Sequence, residues 1–446
     1  MTTTYTPDDP AYLDETDFRV ELERVFDHCH GCRLCFNLCP SFPTMFDLID
    51  ANDGDVSALT AADQDRVIDE CYQCKLCYPK CPYVPPHEWQ LDFPRLMMRA
   101  QAVRHAAGRP AGERVTDQVL ARTDVMGRVS TAAAPVVNAL IGTPGSWART
   151  LMEKATGMAS ERLLPPYART RFSTWFRRRA GGGGARAHVT GSPQGDVSVF
   201  PTCFIEYMDP AIGQDLVKVY ERNGVSCSLP EGTRCCGAPW LHQGNIKEFT
   251  KAASRNVTAL AAEVRTGKAV VVAQPTCAYV VRKDYPLYLA GTSLAADAEL
   301  VARHTSDPAE FLVALHRAEG TSLDTDFSGR HSGAVPDEVT YHVACHLRAQ
   351  HIGLKSRDLL KVAGVRATLV QRCSGIDGTW GYRAENYELA RTVAAPMAKE
   401  ILLAGNDVVC GDCHLANGAI EQETGIRPLH PMQLMARAYG IPEEPT

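Results

Sequence analysis

The sequence predicts an α plus α/β protein in three parts. A helical domain occupies 15–105, an Arg/Ala/Gly-rich, partly helical linker 106–194, and two repeated α/β cysteine-rich domains 195–330 and 331–446. Three observations carry this division. Sixteen of the seventeen cysteines fall into four groups of four. After the second group cysteine vanishes for the 121 residues between Cys81 and Cys203, while Ala, Arg, Pro and Gly take over. Beyond that gap a strand–cysteine–helix pattern occurs twice, with its leading cysteines, Cys203 and Cys345, 142 residues apart.

The helical domain comes first. Residues 18–26 and 58–68 show helical spacing of apolar side chains. Each precedes a cysteine run: Cys29-x-x-Cys32-x-x-Cys35-x-x-x-Cys39-Pro40, then Cys71-x-x-Cys74-x-x-Cys77-x-x-x-Cys81-Pro82. Such short spacing lets one tight loop present several soft thiolates to one centre. The closing proline turns the chain, because it cannot continue a helix. Both runs resemble the bacterial ferredoxin signature for [4Fe–4S] clusters, in which the fourth cysteine of each run ligates the other cluster. The resemblance implies a helical two-cluster ferredoxin-type domain. One [4Fe–4S] cluster is then held by Cys29, Cys32, Cys35 and Cys81, the other by Cys71, Cys74, Cys77 and Cys39. Zinc would ask for paired Cys-x-x-Cys knuckles instead of this triplet. His28 and His30 flank the first run and are expected at its surface, since four thiolates complete a ligand set.

In the linker, Pro135, Pro144, Pro165 and Pro166 punctuate the chain. A basic–aromatic stretch with Arg169, Arg171, Phe172, Trp175, Phe176 and Arg177 to Arg179 leads into a glycine run at 181–184, which reads as a flexible join. The stretch suits an anionic membrane surface, a protein partner, or a plain solvated basic helix.

In the first repeat a strand over 197–200 leads to Cys203, a helix over 215–221 follows, then Cys235-Cys236-Gly237, a long amphipathic helix, and a strand over 269–273 ending in Gln274-Pro275-Thr276-Cys277. In the second, a strand over 339–343 leads to Cys345, a helix over 356–362 follows, then Cys373-Ser374-Gly375. Leu389, Val393, Met397 and Ile401 next recur every fourth residue up to Gly405, and a strand over 407–409 feeds Cys410-Gly411-Asp412-Cys413. Strands alternating with helices, and ligands at strand ends, point to two related α/β units. Cys227 lies in a strand-like stretch and reads as a small core residue.

This repeated pattern resembles the paired cysteine-rich (CCG) domains of heterodisulfide reductases. With the ferredoxin-type domain in front, it resembles the C-subunit family of anaerobic glycerol-3-phosphate dehydrogenases, and the iron–sulfur subunits of glycolate and lactate oxidases are similar. Tyr341-His342-Val343-Ala344-Cys345-His346-Leu347-Arg348 and Arg372-Cys373-Ser374-Gly375 carry the likeness to the glycerol-3-phosphate dehydrogenase family. The family pattern has five cysteines per repeat. Gln274 stands where the first repeat's Cys-x-x-Cys would begin, and Ser374 where the second repeat's Cys-Cys pair would end. Each repeat keeps four: Cys203, Cys235, Cys236 and Cys277, then Cys345, Cys373, Cys410 and Cys413. Four suffice for one further iron–sulfur cluster per repeat, but not for the five-thiolate centre that cleaves disulfides. The glycines Gly31, Gly237, Gly375 and Gly411 allow close backbone approach beside these ligands. His346, Arg348, Asp377, Trp380 and His414 either tune potentials and move protons or simply cap turns and stack in the core.

The resemblance implies an iron–sulfur electron-transfer subunit with no catalytic residue of its own. It would serve a membrane-associated flavoprotein dehydrogenase and pass electrons from a flavin partner toward quinone, entering through the ferredoxin part and leaving from the Cys345 repeat. The alternative is a heterodisulfide reductase-like thiol–disulfide oxidoreductase; a third class is a redox sensor or scaffold. A net charge of −6 and a pI near 6.2 count against a nucleic-acid partner. Many cysteines behind an acidic, polar start point to metal sites in a reducing compartment and to no secretory signal. No apolar run reaches the roughly 20 residues of a membrane span. The expected location is the cytoplasm, with peripheral attachment to the cytoplasmic face of the membrane left open.

Overall fold

The first long helix, Glu15–Cys32, starts where the Asp14 carboxylate accepts from the N–H of Asp17 and stops where Arg33 takes φ 51°. It outruns the 18–26 expected from sequence and carries Cys29 and Cys32 on its last turn. In the computed structural model, which describes residues 2–108, 111–179, 194–328, 335–376 and 378–444, this helix packs with Ser41–Asp50, Ala61–Asp69 and Phe93–Ala107. Ala61–Asp69 opens on a capping box between Thr60 and Asp63. Phe18, Phe26, Phe42, Phe46, Leu96 and Met97 fill the space between the helices, so the two cysteine runs are loops pinned at both ends by one core.

The repeats share one topology. Strands β1 (Gly195–Val199), β2 (Val225–Ser228), β3 (Ala269–Val271) and β4 (Thr305–Ser306) form a parallel sheet in the order β2-β1-β3-β4. Strands β5 (Glu338–His342), β6 (Arg366–Val370) and β7 (Val409–Gly411) form a second parallel sheet in the order β6-β5-β7. A single parallel bridge between Cys410 and Leu429 takes the place of β4. β7 lies two residues beyond the 407–409 read from sequence, and that offset puts Cys410 inside the strand. Helices Ile246–Arg265 and Tyr387–Ala404 follow the paired-cysteine loops, the latter stopped by Gly405 at φ 68°. One apolar core runs through both repeats, joining Val199 and Val271 to Tyr341 and Leu360.

The cysteine-free segment is mostly helical. Ala111–Ala121, Thr123–Ala132, Ala134–Ile141, Trp147–Thr156 and Phe172–Arg179 follow one another. The Asn138 amide ties this segment to Tyr167, donating to its carbonyl (2.9 Å) and accepting from its N–H (2.8 Å). In the basic–aromatic stretch Phe172 is buried, Trp175 and Phe176 pack against the shared core, and Arg179 pairs with Glu221 at 2.7 Å. Those aromatics therefore face inward. The glycine run at 181–184 lies outside the described residues.

The helical domain docks tightly on the first repeat. Gly244 has φ 78°, and a Cβ there would fall 2.0 Å from the Gln101 carbonyl oxygen. Tyr12 and Tyr288 share a hydrogen bond at 3.2 Å. Arg99, fully buried on the helix Phe93–Ala107, donates to the Ala11 and Tyr12 carbonyls at 2.8 Å each and pairs with Asp17. Arg99→Met leaves the buried Tyr12 carbonyl without its donor and Asp17 without its partner, while the Ala11 carbonyl keeps only the Asp14 N–H, with an expected cost of about 1–3 kcal/mol. The measurement is the urea midpoint by near-UV circular dichroism, and an unchanged midpoint would show that this side chain does not hold the N-terminal segment.

Candidate iron–sulfur centres

Two quartets form in the helical domain, each built from both cysteine runs. Burial raises the Cys29 thiol, with Cys35, Cys81 and Cys32 as the neighbouring thiols that add to it. Cys35, pushed up to about 11 by burial, likewise has Cys81 and Cys32 as neighbours. In the second quartet Cys77, raised by burial, has Cys74, Cys39 and Cys71 around it, and beyond them Cys35 of the first. The Tyr83 N–H donates to Cys81 Sγ at 3.4 Å, and Gln73 Nε2 to Cys71 Sγ at 3.8 Å. His28 stacks on Trp89 and His30 pairs with Asp50, both away from the thiols.

The first repeat brings Cys203, Cys235, Cys236 and Cys277 together. Hydrogen bonds from Cys203 and Cys236 hold Cys235 below the ordinary thiol range. Cys236 stands above that range because it shares its proton with Cys235 and Cys277. Asn256, fully buried, shapes the loop that presents the pair: it accepts from the Arg234 N–H (2.9 Å) and donates to the Cys235 carbonyl (3.1 Å). Tyr285 donates to the Cys236 carbonyl at 2.8 Å. From the linker, Asp124 Oδ2 accepts from the Cys235 N–H at 2.9 Å. Burial raises the Asp124 carboxyl, and the charge of Cys235 adds to it.

The second repeat brings together three of its four cysteines. Cys345 has Cys373 and Cys413 as neighbours, and also Cys74 of the helical domain. Cys373 is drawn down to about 7 by the Cys345 thiol, helped by the Tyr72 hydroxyl and by the Gly375 N–H at 3.3 Å. Gln274 of the first repeat donates from Nε2 to Cys413 Sγ at 3.6 Å. Cys410 stands apart. It is fully buried in the shared apolar core, and its charged neighbour is Asp412, not another thiol.

His346 lies where the three parts meet. Its Nε2 is 3.1 Å from the Gln73 carbonyl oxygen, and its Nδ1 is 2.9 Å from the Thr276 hydroxyl. A carbonyl only accepts, so Nε2 carries the proton and Nδ1 accepts from Thr276. Burial, with Lys75 nearby, holds this imidazole down to about 3, so it is neutral. Trp380 donates to the Asp69 carbonyl at 2.8 Å, Arg348 to the Gln371 carbonyl at 3.1 Å, and His414 stacks on Phe204 with centroids 3.6 Å apart. Asp377 lies outside the described residues. Asp124, Asn256, Tyr285 and Tyr72 carry no motif, and only the tertiary fold brings them to the thiols.

Three groups of four thiols, with amide donors on their sulfurs, fit anionic iron–sulfur clusters. Among the described residues no three Cys, His, Asp or Glu groups are close enough to share one metal ion.

Comparison with known proteins gives the domain families. The cysteine-rich domain family matches residues 197–282 and 339–416, and the citrate utilization protein B Fer4-like domain family matches 22–107. The C subunit of anaerobic glycerol-3-phosphate dehydrogenase from Escherichia coli K12 is 30% identical over 350 residues, covering 77% of this chain and 81% of that protein. Lactate utilization protein A of Bacillus pumilus is 30% identical over 191 residues, or 43% of this chain and 70% of that one. The B subunit of fumarate reductase (CoM/CoB) from Methanothermobacter marburgensis is 24% identical over 260 residues, or 56% and 47%. With two cysteine-rich repeats behind a Fer4-like domain, this iron–sulfur electron-transfer protein belongs to the C-subunit family of anaerobic glycerol-3-phosphate dehydrogenases.

Proposed function

We propose that the chain is the iron–sulfur subunit of a membrane-associated flavoprotein dehydrogenase, taking electrons from a flavin partner and passing them toward quinone. The observation that carries this reading is a row of four cysteine groups. Cys35 neighbours Cys77, Cys74 neighbours Cys373, and Gln274 spans from the first repeat to Cys413. Bound iron–sulfur clusters supply one-electron transfer at potentials set by charge and hydrogen bonds around their sulfurs. The chain has no Gly-x-Gly-x-x-Gly opening a helix, so substrate oxidation falls to the partner. The five-thiolate set for disulfide cleavage is missing from both repeats, which disfavours the thiol–disulfide alternative.

The two ends of the row differ. Beside Cys35, Leu34 and Phe36 are exposed and offer an apolar contact for the flavoprotein. The Cys345 group is interior, around a cavity of about 20 Å³ walled by Tyr72 and Cys74 on one side and Pro275 and Thr276 on the other. The first-repeat group is terminal. A cavity of about 570 Å³ opens beside Cys235, lined by Arg122, Arg128, Arg234, Lys251 and Arg255. Electrons thus leave from the Cys235 end and not, as the sequence suggested, from the Cys345 repeat.

That end also bears the membrane-facing surface. Among the described residues, seven of the fourteen exposed large apolar side chains fall within 125–151, among them Val125 and Val129, Val136 and Leu140, and Trp147 and Leu151. Each pair is four residues apart on its own helix and so shares a face. Val125 also lines the basic cavity, so apolar and cationic surfaces adjoin, as binding to anionic lipid requires. Among the described residues no helix is long and apolar enough to cross a membrane.

A cation on the second cysteine run biases the potential of its quartet. Lys75, buried and next in sequence to Cys74, donates to Gln73 Oε1 and Met98 Sδ at 3.3 Å each and faces the Tyr279 ring, with Asp92 and Asp284 as its charged neighbours. A buried cation favours the more negative, reduced state of a nearby centre.

Purification of the native complex tests the assignment. A flavin-containing subunit should co-purify, and its substrate should bleach the iron–sulfur absorption anaerobically; a flavin-free complex, or one left unbleached, overturns it. Paired Val129→Glu and Leu140→Glu changes should weaken sedimentation with phosphatidylglycerol-containing vesicles about tenfold or more; undiminished binding removes this face from the membrane contact. Lys75→Met should lower one midpoint potential by on the order of 50 mV in a dye-mediated titration, and no shift would place the charge out of reach of the quartet.

A further inference from the structure

The strand register aligns the two repeats residue by residue. Val199 pairs with Val271 in the first sheet, and Tyr341 pairs with Cys410 in the second. Val199 precedes Cys203 by four residues and Tyr341 precedes Cys345 by four. Cys410 is therefore the counterpart of Val271, and both side chains lie in the same shared core. Asp412, the charged group near Cys410, is itself taken by the hydroxyls of Tyr341 (2.5 Å) and Ser356. Bringing the Cys410 sulfur beside Cys413 would mean unpairing β7 from β5.

The remaining positions correspond one to one. Cys345, Cys373 and Cys413 match Cys203, Cys235 and Cys277, and Ser374 takes the place of Cys236. Ser374 is 4% exposed and lines the same small cavity as the three thiols. Cys74 reaches this cavity too, but it stands in the second quartet with Cys39 and Cys71 as neighbours. A four-thiolate cluster fits the first repeat and does not fit the second.

We infer that the second repeat holds a three-thiolate iron–sulfur centre of the three-iron class on Cys345, Cys373 and Cys413, with Cys410 a core residue and Ser374 at the vacant corner. This rests on the iron–sulfur reading above, and the two fail differently: anaerobically prepared protein without iron sinks both, whereas full iron with four-iron signatures only sinks this one. The experiment is iron analysis with Mössbauer and paramagnetic resonance spectroscopy on the whole, anaerobically loaded chain. Wild type should show one three-iron centre. Cys410→Val, which imports the first repeat's own residue, should leave iron content and that signal unchanged. Cys413→Ala should lose the signal and about three irons per chain. Ser374→Cys should gain about one iron and convert the signal to a four-iron type. Loss of iron in a folded Cys410→Val protein, or a Ser374→Cys protein with unaltered iron and spectrum, overturns the inference.

Discussion

Thiolates repel one another where the dielectric is low, and this fold gathers fifteen thiols into four groups inside one molecule. The structure meets that cost with donors that carry no charge to lose. Main-chain N–H groups of Tyr83 and Gly375 point at Cys81 and Cys373, and the side-chain amides of Gln73 and Gln274 point at Cys71 and Cys413. Amides do not titrate in the physiological range, so these contacts persist whichever redox state the sulfurs serve. The Gly375 donor depends on backbone that only glycine allows there: φ is 66° and a Cβ would fall 2.1 Å from the Ala390 carbonyl oxygen.

Gathering thiols is not enough; the groups must also keep fixed positions relative to one another. His346 does much of that fixing, because one neutral ring contacts the cysteine loop of the helical domain through Gln73 and the first repeat through Thr276 while belonging to the second. Protonation would turn Nδ1 into a donor facing a hydroxyl and add a cation beside Lys75, and burial opposes both. Trp380 adds a second directional tie to the Asp69 carbonyl. Apolar contacts alone would let the domains slide; hydrogen bonds between buried partners specify one register.

The cysteine runs were legible in sequence because ligand geometry is local. The ferredoxin resemblance that this spacing carries implies that Cys81 joins Cys29 and Cys39 joins Cys71, and both pairs are neighbours in the structure. Strands β1 and β5 were legible for the same reason: short apolar runs ending at a cysteine. β7 was not, because cysteine is itself a small apolar residue, and Val408-Val409-Cys410 reads equally as a strand followed by a ligand or as a strand containing a core thiol. Only pairing with Tyr341 decides between them. The linker misled in another way. Its apolar residues point outward on three successive helices, and Asp124, an ordinary acid near a helix start, meets Cys235 from 111 residues away in sequence. Nothing local announces a contact of that range.

Equal cysteine counts conceal unequal sites. Each repeat has four cysteines in its pattern, yet the first places all four at its centre and the second spends one on its core. The sheets differ little, since the order around β1 and β5 is the same. What differs is the length of chain between the central strand's neighbour and the last cysteine: six residues from Val271 to Cys277, three from Cys410 to Cys413. The longer loop lets Gln274 cross to Cys413, so a residue of one repeat completes the surroundings of the other's sulfur. Strand ends packed against each other in this way cannot change independently, although the two repeats arrange their thiols differently on closely similar sheets.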